Sequence, residues 1–159
     1  MKQVIIMQGL SGSGKSHWVN KNFPNASVVS ADKFFEQGPL EYHFMPSLLG
    51  KAHAFCMRNF IHALDRGDSL VIVDNTNTER WEWYNYTKLA EYWGYKWSVV
   101  DMYNGANAEA GTPALTNEEL SGRNRHGVPP DVIERQRERY EHADNEELYE
   151  YCLNARDRE

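Results

Sequence analysis

Gly9-Leu10-Ser11-Gly12-Ser13-Gly14-Lys15-Ser16 decides the reading of this chain. It matches G-x-x-x-x-G-K-[ST] in full, directly after the apolar run Val4-Ile5-Ile6-Met7 and directly before a helical segment, His17 to Lys21. In such a loop successive backbone N–H groups turn inward on a polyanion, which only glycines permit, and the following helix N-terminus adds positive potential. Lys15 is placed to reach β- and γ-phosphates, and the Ser16 hydroxyl to ligate Mg²⁺. Gly9, Ser11, Gly12, Ser13, Gly14, Lys15, Ser16 and His17 are therefore the candidate contacts to a nucleoside triphosphate, ATP, with Mg²⁺ as the accompanying ion. The bland alternative is a Gly/Ser turn joining strand to helix.

Working outward, β-branched or apolar runs at Gln3 to Gln8, Ala26 to Ser30, Leu70 to Asp74 and Lys96 to Met102 predict four strands. Helical periodicity separates them, from Leu48 to Arg66 with a stop at Gly67, and from Thr78 to Trp93 with a stop at Gly94. This alternation predicts an α/β fold with a central parallel sheet of about four strands and helices on both faces. A surface loop is expected over 103–117. A lid and its following helix are expected over 118–142, with a capping box at Thr116 and Glu119 and a start at Pro129-Pro130. Asp144 with Glu147 predicts the cap of a last helix within 143–159.

Length and composition fit one domain over 1–159, because 159 residues with 41% hydrophobic and 13% aromatic content can fill a core. Seventeen Lys+Arg against 23 Asp+Glu give a net charge of -6, the wrong sign for a protein that coats long nucleic acid. Acidic residues gather in the last third, whereas Lys15, Lys33, Arg123 and Arg125 are assigned to the cleft, so any nucleic-acid contact is expected to be short. Cys56 and Cys152 form no ligand spacing, no stretch approaches a membrane span, and a cytoplasmic location is the expectation.

Two acids could complete a site. Asp32, at the carboxyl end of the second strand, is expected beside the first strand in the usual doubly wound order, where ligands of open α/β sheets bind. It could accept the proton of an attacking hydroxyl or merely cap a helix. Asp74 ends the third strand where a Walker B acid approaches the metal, or where it braces the loop by hydrogen bonds. Thr76 or Asn77 could cap the next helix. No Asn-Lys-x-Asp motif is present, so a Ras-like GTPase does not fit, whereas a compact kinase does.

With these pieces placed, the chain resembles the polynucleotide-kinase-like P-loop kinases, from residue 1 to about 142. The resemblance rests on the phosphate loop, on S-A-D-K-F-F at 30–35, on Ala52-His53, on V-I-V-D-N-T-N at 71–77, and on R-N-R-H-G-V-P at 123–129 followed by E-R-Q-R-E-R-Y-E. It implies that Asp32 is the general base for the acceptor hydroxyl, and that Arg123, with Arg125 second, is a lid arginine closing over the triphosphate. His126 would stack near the nucleotide or support the lid turn, and His53 would face the acceptor or pack.

Phage-type members carry an arginine for the acceptor's terminal phosphate where this chain has Phe35, and vertebrate relatives an acid where it has Lys33. Phe34, Phe35, Tyr42, His43 and Phe44 could stack an acceptor base or form an aromatic mini-core; Trp81 and Trp83 read as core and rim of an amphipathic helix, with no ligand implied. The resemblance implies an ATP- and Mg²⁺-dependent kinase acting on a nucleic-acid hydroxyl, most simply a polynucleotide 5′-hydroxyl. The alternatives are the hydroxymethyl group of a modified base in DNA, or a nucleotide-binding regulatory module without phosphoryl transfer.

Overall fold

The computed structural model describes residues 1–36, 44–103, 115–124 and 126–149. Four strands, β1 (Gln3–Gln8), β2 (Ser27–Val29), β3 (Leu70–Asp74) and β4 (Lys96–Asp101), form one fully parallel sheet in the order β2-β3-β1-β4. The sequence expectation placed β2 beside β1, and the sheet corrects it by inserting β3 between them. The reason lies in composition: β3 buries Val71, Ile72 and Val73 completely and suits an interior position, whereas β2 is three residues long and only half-buried at Ser27 and Val28.

Helices α1 (Lys15–Asn22), α2 (Asp32–Phe35), α3 (Leu49–Arg66), α4 (Arg80–Tyr92), α5 (Asn117–Arg123) and α6 (Pro130–Glu138) connect and cover the strands. The period-two alternation of the sheet divides the core. Val4, Ile6, Val71, Val73 and Val99 meet Phe60 and Leu64 of α3 and Trp83 and Tyr86 of α4 on one face. Ile5, Met7, Ile72 and Val100 meet Trp18 and Val19 of α1 on the other. Helix α3 ends where the sequence expects, at Gly67, whose φ of 77° lets its N–H turn back onto Ala63 and Leu64 carbonyls. Trp83 is fully buried and Trp81 is 71% exposed, the core and rim residues of α4.

The two outer edges of the sheet are handled differently. Beside β4 the chain returns at Leu148, which bridges Val99 in parallel, and Tyr149 N–H donates to Val99 O at 2.8 Å. On β2, Lys33 Nζ donates to the Val28 carbonyl. The capping box at Asp144 and Glu147 is present, but it opens a single 3₁₀ turn, Asn145–Glu147, because Leu148 becomes extended to meet β4. Among the described residues no helix is long and apolar enough to cross a membrane.

Candidate active site

The phosphate loop leaves the carboxyl end of β1 and is clamped from both sides. Gly9 N–H donates to Thr76 O at 3.0 Å, and Leu10 N–H donates to Tyr103 O at 2.7 Å. Asn77, at φ 47°, donates from Nδ2 to Met7 O. Neither Thr76 nor Asn77 is the cap of α4, since Glu79 holds that place; both hold the loop's base instead. Gly12 has φ 81°, and a Cβ there would stand 2.1 Å from the Leu120 carbonyl oxygen of α5, so the loop and the lid helix touch through backbone. Gly14, at φ 97°, is the residue from which α1 starts.

Gln136 of α6 closes the other side. Its Oε1 accepts from Ser11 N–H at 3.0 Å and its Nε2 donates to Ser11 Oγ at 3.0 Å, all within the interior. Sequence reasoning passed over Gln136. Its signal is a polar residue three positions after Ile133, on the stripe that α6 buries.

Lys15 Nζ donates to the Gly9 and Leu10 carbonyls, at 3.0 Å each. Burial holds its ammonium below the ordinary lysine value, and the carboxylates of Asp74 and Asp32 push in the opposite direction. Ser16 Oγ donates to Asp74 Oδ2 at 2.8 Å, and His17 is exposed on α1. Ser13 Oγ is buried and meets no hydrogen-bond partner among the described residues. A hard divalent ion with phosphate oxygens fits this donor set: a hydroxyl and a carboxylate in contact, beside a lysine and a loop of amides. Among the described residues no group of three His, Cys, Asp or Glu gathers to hold a metal, so such an ion would depend on phosphate and water for its remaining ligands.

Asp32 is the first residue of α2 and is exposed. It does not act as the cap: Ala31 occupies that position, and Ser30 Oγ accepts from Lys33 N–H at 3.3 Å. Asn75, next after Asp74, accepts Ala31 N–H on Oδ1 at 2.8 Å and donates from Nδ2 to Cys56 Sγ of α3 at 3.6 Å. His126 Nε2 stands 3.7 Å from Asp32 Oδ2 and 4.0 Å from Glu36 Oε1.

The lid begins with the predicted capping box, in which Glu119 N–H donates to Thr116 Oγ1 and Thr116 N–H to the Glu119 carboxylate. Arg123, at the end of α5, is exposed and brings Nη2 to 3.4 Å from where a Cβ on Gly14 would lie. The turn beyond is braced by His126 N–H on Asn124 Oδ1 and Ser121 Oγ on Val128 O, each at 2.7 Å. His126 thus stands by the turn and the acids together. The candidate Arg125 lies outside the described residues, as do Tyr42 and His43. His53 is exposed on α3, within electrostatic reach of Glu82, which excludes a packing role.

The aromatics after Asp32 form a mini-core. Phe34 meets Phe35 and Phe55 edge-on, Phe35 meets Phe44, and Phe35 is buried with Ala31 and Ala52. Phe44 remains 48% exposed.

Comparison with known proteins agrees with this geometry. A family model described as an AAA domain matches residues 4–143. Over 141 residues the chain is 29% identical to human NEDD4-binding protein 2, a match covering 87% of this chain and 8% of that protein. A chain from the structure of the Pnkp1/Rnl/Hen1 RNA repair complex shares the fold, with a TM-score of 0.62 at 17% identity over 87% of this chain and 43% of that one. The chain therefore spans less than half of that solved chain and under a tenth of the human relative. With a glycine-rich loop between β1 and α1, a parallel sheet and helix α5 seated on that loop, this chain belongs to the AAA domain family, whose model matches residues 4–143.

Proposed function

We propose that the chain is an ATP- and Mg²⁺-dependent kinase that transfers the γ-phosphate to a hydroxyl of a nucleic acid, most simply a polynucleotide 5′-hydroxyl. The observation that carries this reading is convergence on Lys15, whose ammonium is within electrostatic reach of both Asp74 and Asp32. A phosphate-holding cation, an acid on the metal side and an exposed acid on the acceptor side are the parts that phosphoryl transfer to an alcohol requires.

In this reading the amides of the loop from Gly9 to Ser16 hold the phosphates, and Lys15 and Arg123 offset the charge of the transferring group. Ser16 and Asp74 would hold Mg²⁺, which would supply neutralisation of the developing phosphate charge. Asp32 takes the acceptor proton and orients the hydroxyl in line. Arg125, two residues along the lid from Arg123, is assigned as a second cation for the same charge. The likeness in fold to a chain found in an RNA repair complex adds support for a nucleic-acid acceptor.

A second reading, transfer to the hydroxymethyl group of a modified base in DNA, is favoured by the residues flanking Asp32. Phe35 is turned into the aromatic mini-core and Lys33 onto the Val28 carbonyl. Both side chains at positions suited to grip an acceptor's terminal phosphate are thereby committed elsewhere. Incubation with labelled ATP and 5′-hydroxyl oligonucleotides, hydroxymethyluracil DNA and free nucleosides separates these readings. Label on the oligonucleotide end supports the first, label on the modified base the second, and label on nucleosides alone overturns both.

A further inference from the structure

Strand β3 lies between the strand that carries the phosphate loop and the strand that leads to Asp32. Its last residue and the one after it therefore stand between the two halves of the site, and they divide the work. Asp74 turns to the loop side, accepting from Ser16. Asn75 turns to the acceptor side, where its Oδ1 accepts Ala31 N–H at 2.8 Å, one residue before Asp32. Its Nδ2 donates to Cys56 Sγ on α3.

We infer that Asn75 is a positioning residue that sets where Asp32 stands relative to the phosphate loop; this rests on the kinase reading of Asp32. Helix α2 has only four residues, and its one capping contact, Ser30 Oγ on the Lys33 N–H, is local to the helix and does not place it against the central sheet. The strand preceding it is three residues long and lies at the sheet edge. Among the described residues the Asn75 amide ties the residue before Asp32 to the end of β3, its Oδ1 accepting the Ala31 N–H. An alanine at this place leaves the Ala31 N–H without its acceptor. In-line transfer tolerates little displacement of the base, and misplacement of about 1 Å costs on the order of a hundredfold.

The test compares Asn75→Ala with Cys56→Ala in the full chain, measuring kcat and KM for ATP and for acceptor, ATP Kd and the thermal midpoint. Asn75→Ala is expected to lower kcat by roughly thirty- to a hundredfold with ATP Kd changed less than about threefold. Cys56→Ala, which keeps the Ala31 hydrogen bond, is expected to hold kcat within about threefold. If both variants lose turnover alike, or if Asn75→Ala weakens ATP binding as much as turnover, Asn75 is a packing residue and the inference fails. Unchanged turnover in Asn75→Ala also overturns it while leaving the kinase reading intact. Absence of transfer by the unaltered chain to every acceptor overturns the kinase reading and the positioning role with it.

Discussion

The Ser16 hydroxyl donates to Asp74 Oδ2 across 2.8 Å, joining the first turn of α1 to the end of the neighbouring strand β3. A hydroxyl and a carboxylate held together in this way present adjacent oxygens to one ion. Asp74→Asn keeps the shape and an acceptor but removes the charge. It is expected to lower Mg²⁺-dependent turnover by about a hundredfold while ATP binding in EDTA changes little, as titration calorimetry with and without Mg²⁺ will read.

In the proposed mechanism Asp32 and Lys15 serve different steps, so their variants should part company. Asp32→Asn is expected to reduce transfer by about 10²–10⁴ with ATP affinity retained, whereas Lys15→Ala loses nucleotide binding itself. Full function in Asp32→Asn alongside loss in Lys15→Ala would favour a nucleotide-reporting module over a kinase.

The two left-handed glycines of the loop are not equivalent. At Gly14 an added Cβ meets the Arg123 guanidinium at 3.4 Å and Met102 Cε at 3.9 Å, both ordinary distances, so Gly14→Ala carries the backbone strain alone, about 1–2 kcal/mol. At Gly12 the same atom would overlap the Leu120 carbonyl. Gly12→Ala should therefore cost about 1–3 kcal/mol more in urea unfolding, and it should displace α5.

Much of this arrangement is legible in the sequence. The phosphate loop, the four strands, the stop at Gly67 and the capping box at Thr116 are local signals, carried by neighbouring residues along the chain. The order of the strands is not, because crossover connections leave the pairing partner of a short strand such as β2 unspecified. Nor are Asn75 and Gln136: each acts on a backbone N–H far away in sequence, at Ala31 and Ser11, and side-chain type alone does not announce such a meeting. Asp32 could be read as a cap or a base, and only the fold shows that Ser30 takes the capping contact.

Gln136→Met keeps the volume of the side chain and removes both hydrogen bonds to Ser11. The stranded, buried N–H should cost about 1–3 kcal/mol of stability, and the loosened loop should raise KM for ATP. A thermal scan and steady-state kinetics on the same preparation check both.

Arg80 pairs with Glu147, tying the start of α4 to the turn before Leu148. The guanidinium holds the Glu147 carboxyl below the usual glutamate value, so its stabilisation is complete above the unfolded-state pKa and disappears as pH falls through the lower, folded value. Glu147→Gln should thus cost about 1 kcal/mol at pH 7 and nothing near pH 2. Urea titrations at the two pH values read the difference.

The Lys33 ammonium resting on the Val28 carbonyl has a meaning for life at high concentration. A strand with a bare outer side is a template for another copy's strand, and a charge fixed over its carbonyl makes that growth unfavourable. At the opposite margin the returning segment at Leu148 and Tyr149 occupies the place an intruder would take. Among the described residues Lys33 guards the β2 side, and replacing it to tune acceptor choice would also invite filament-like association.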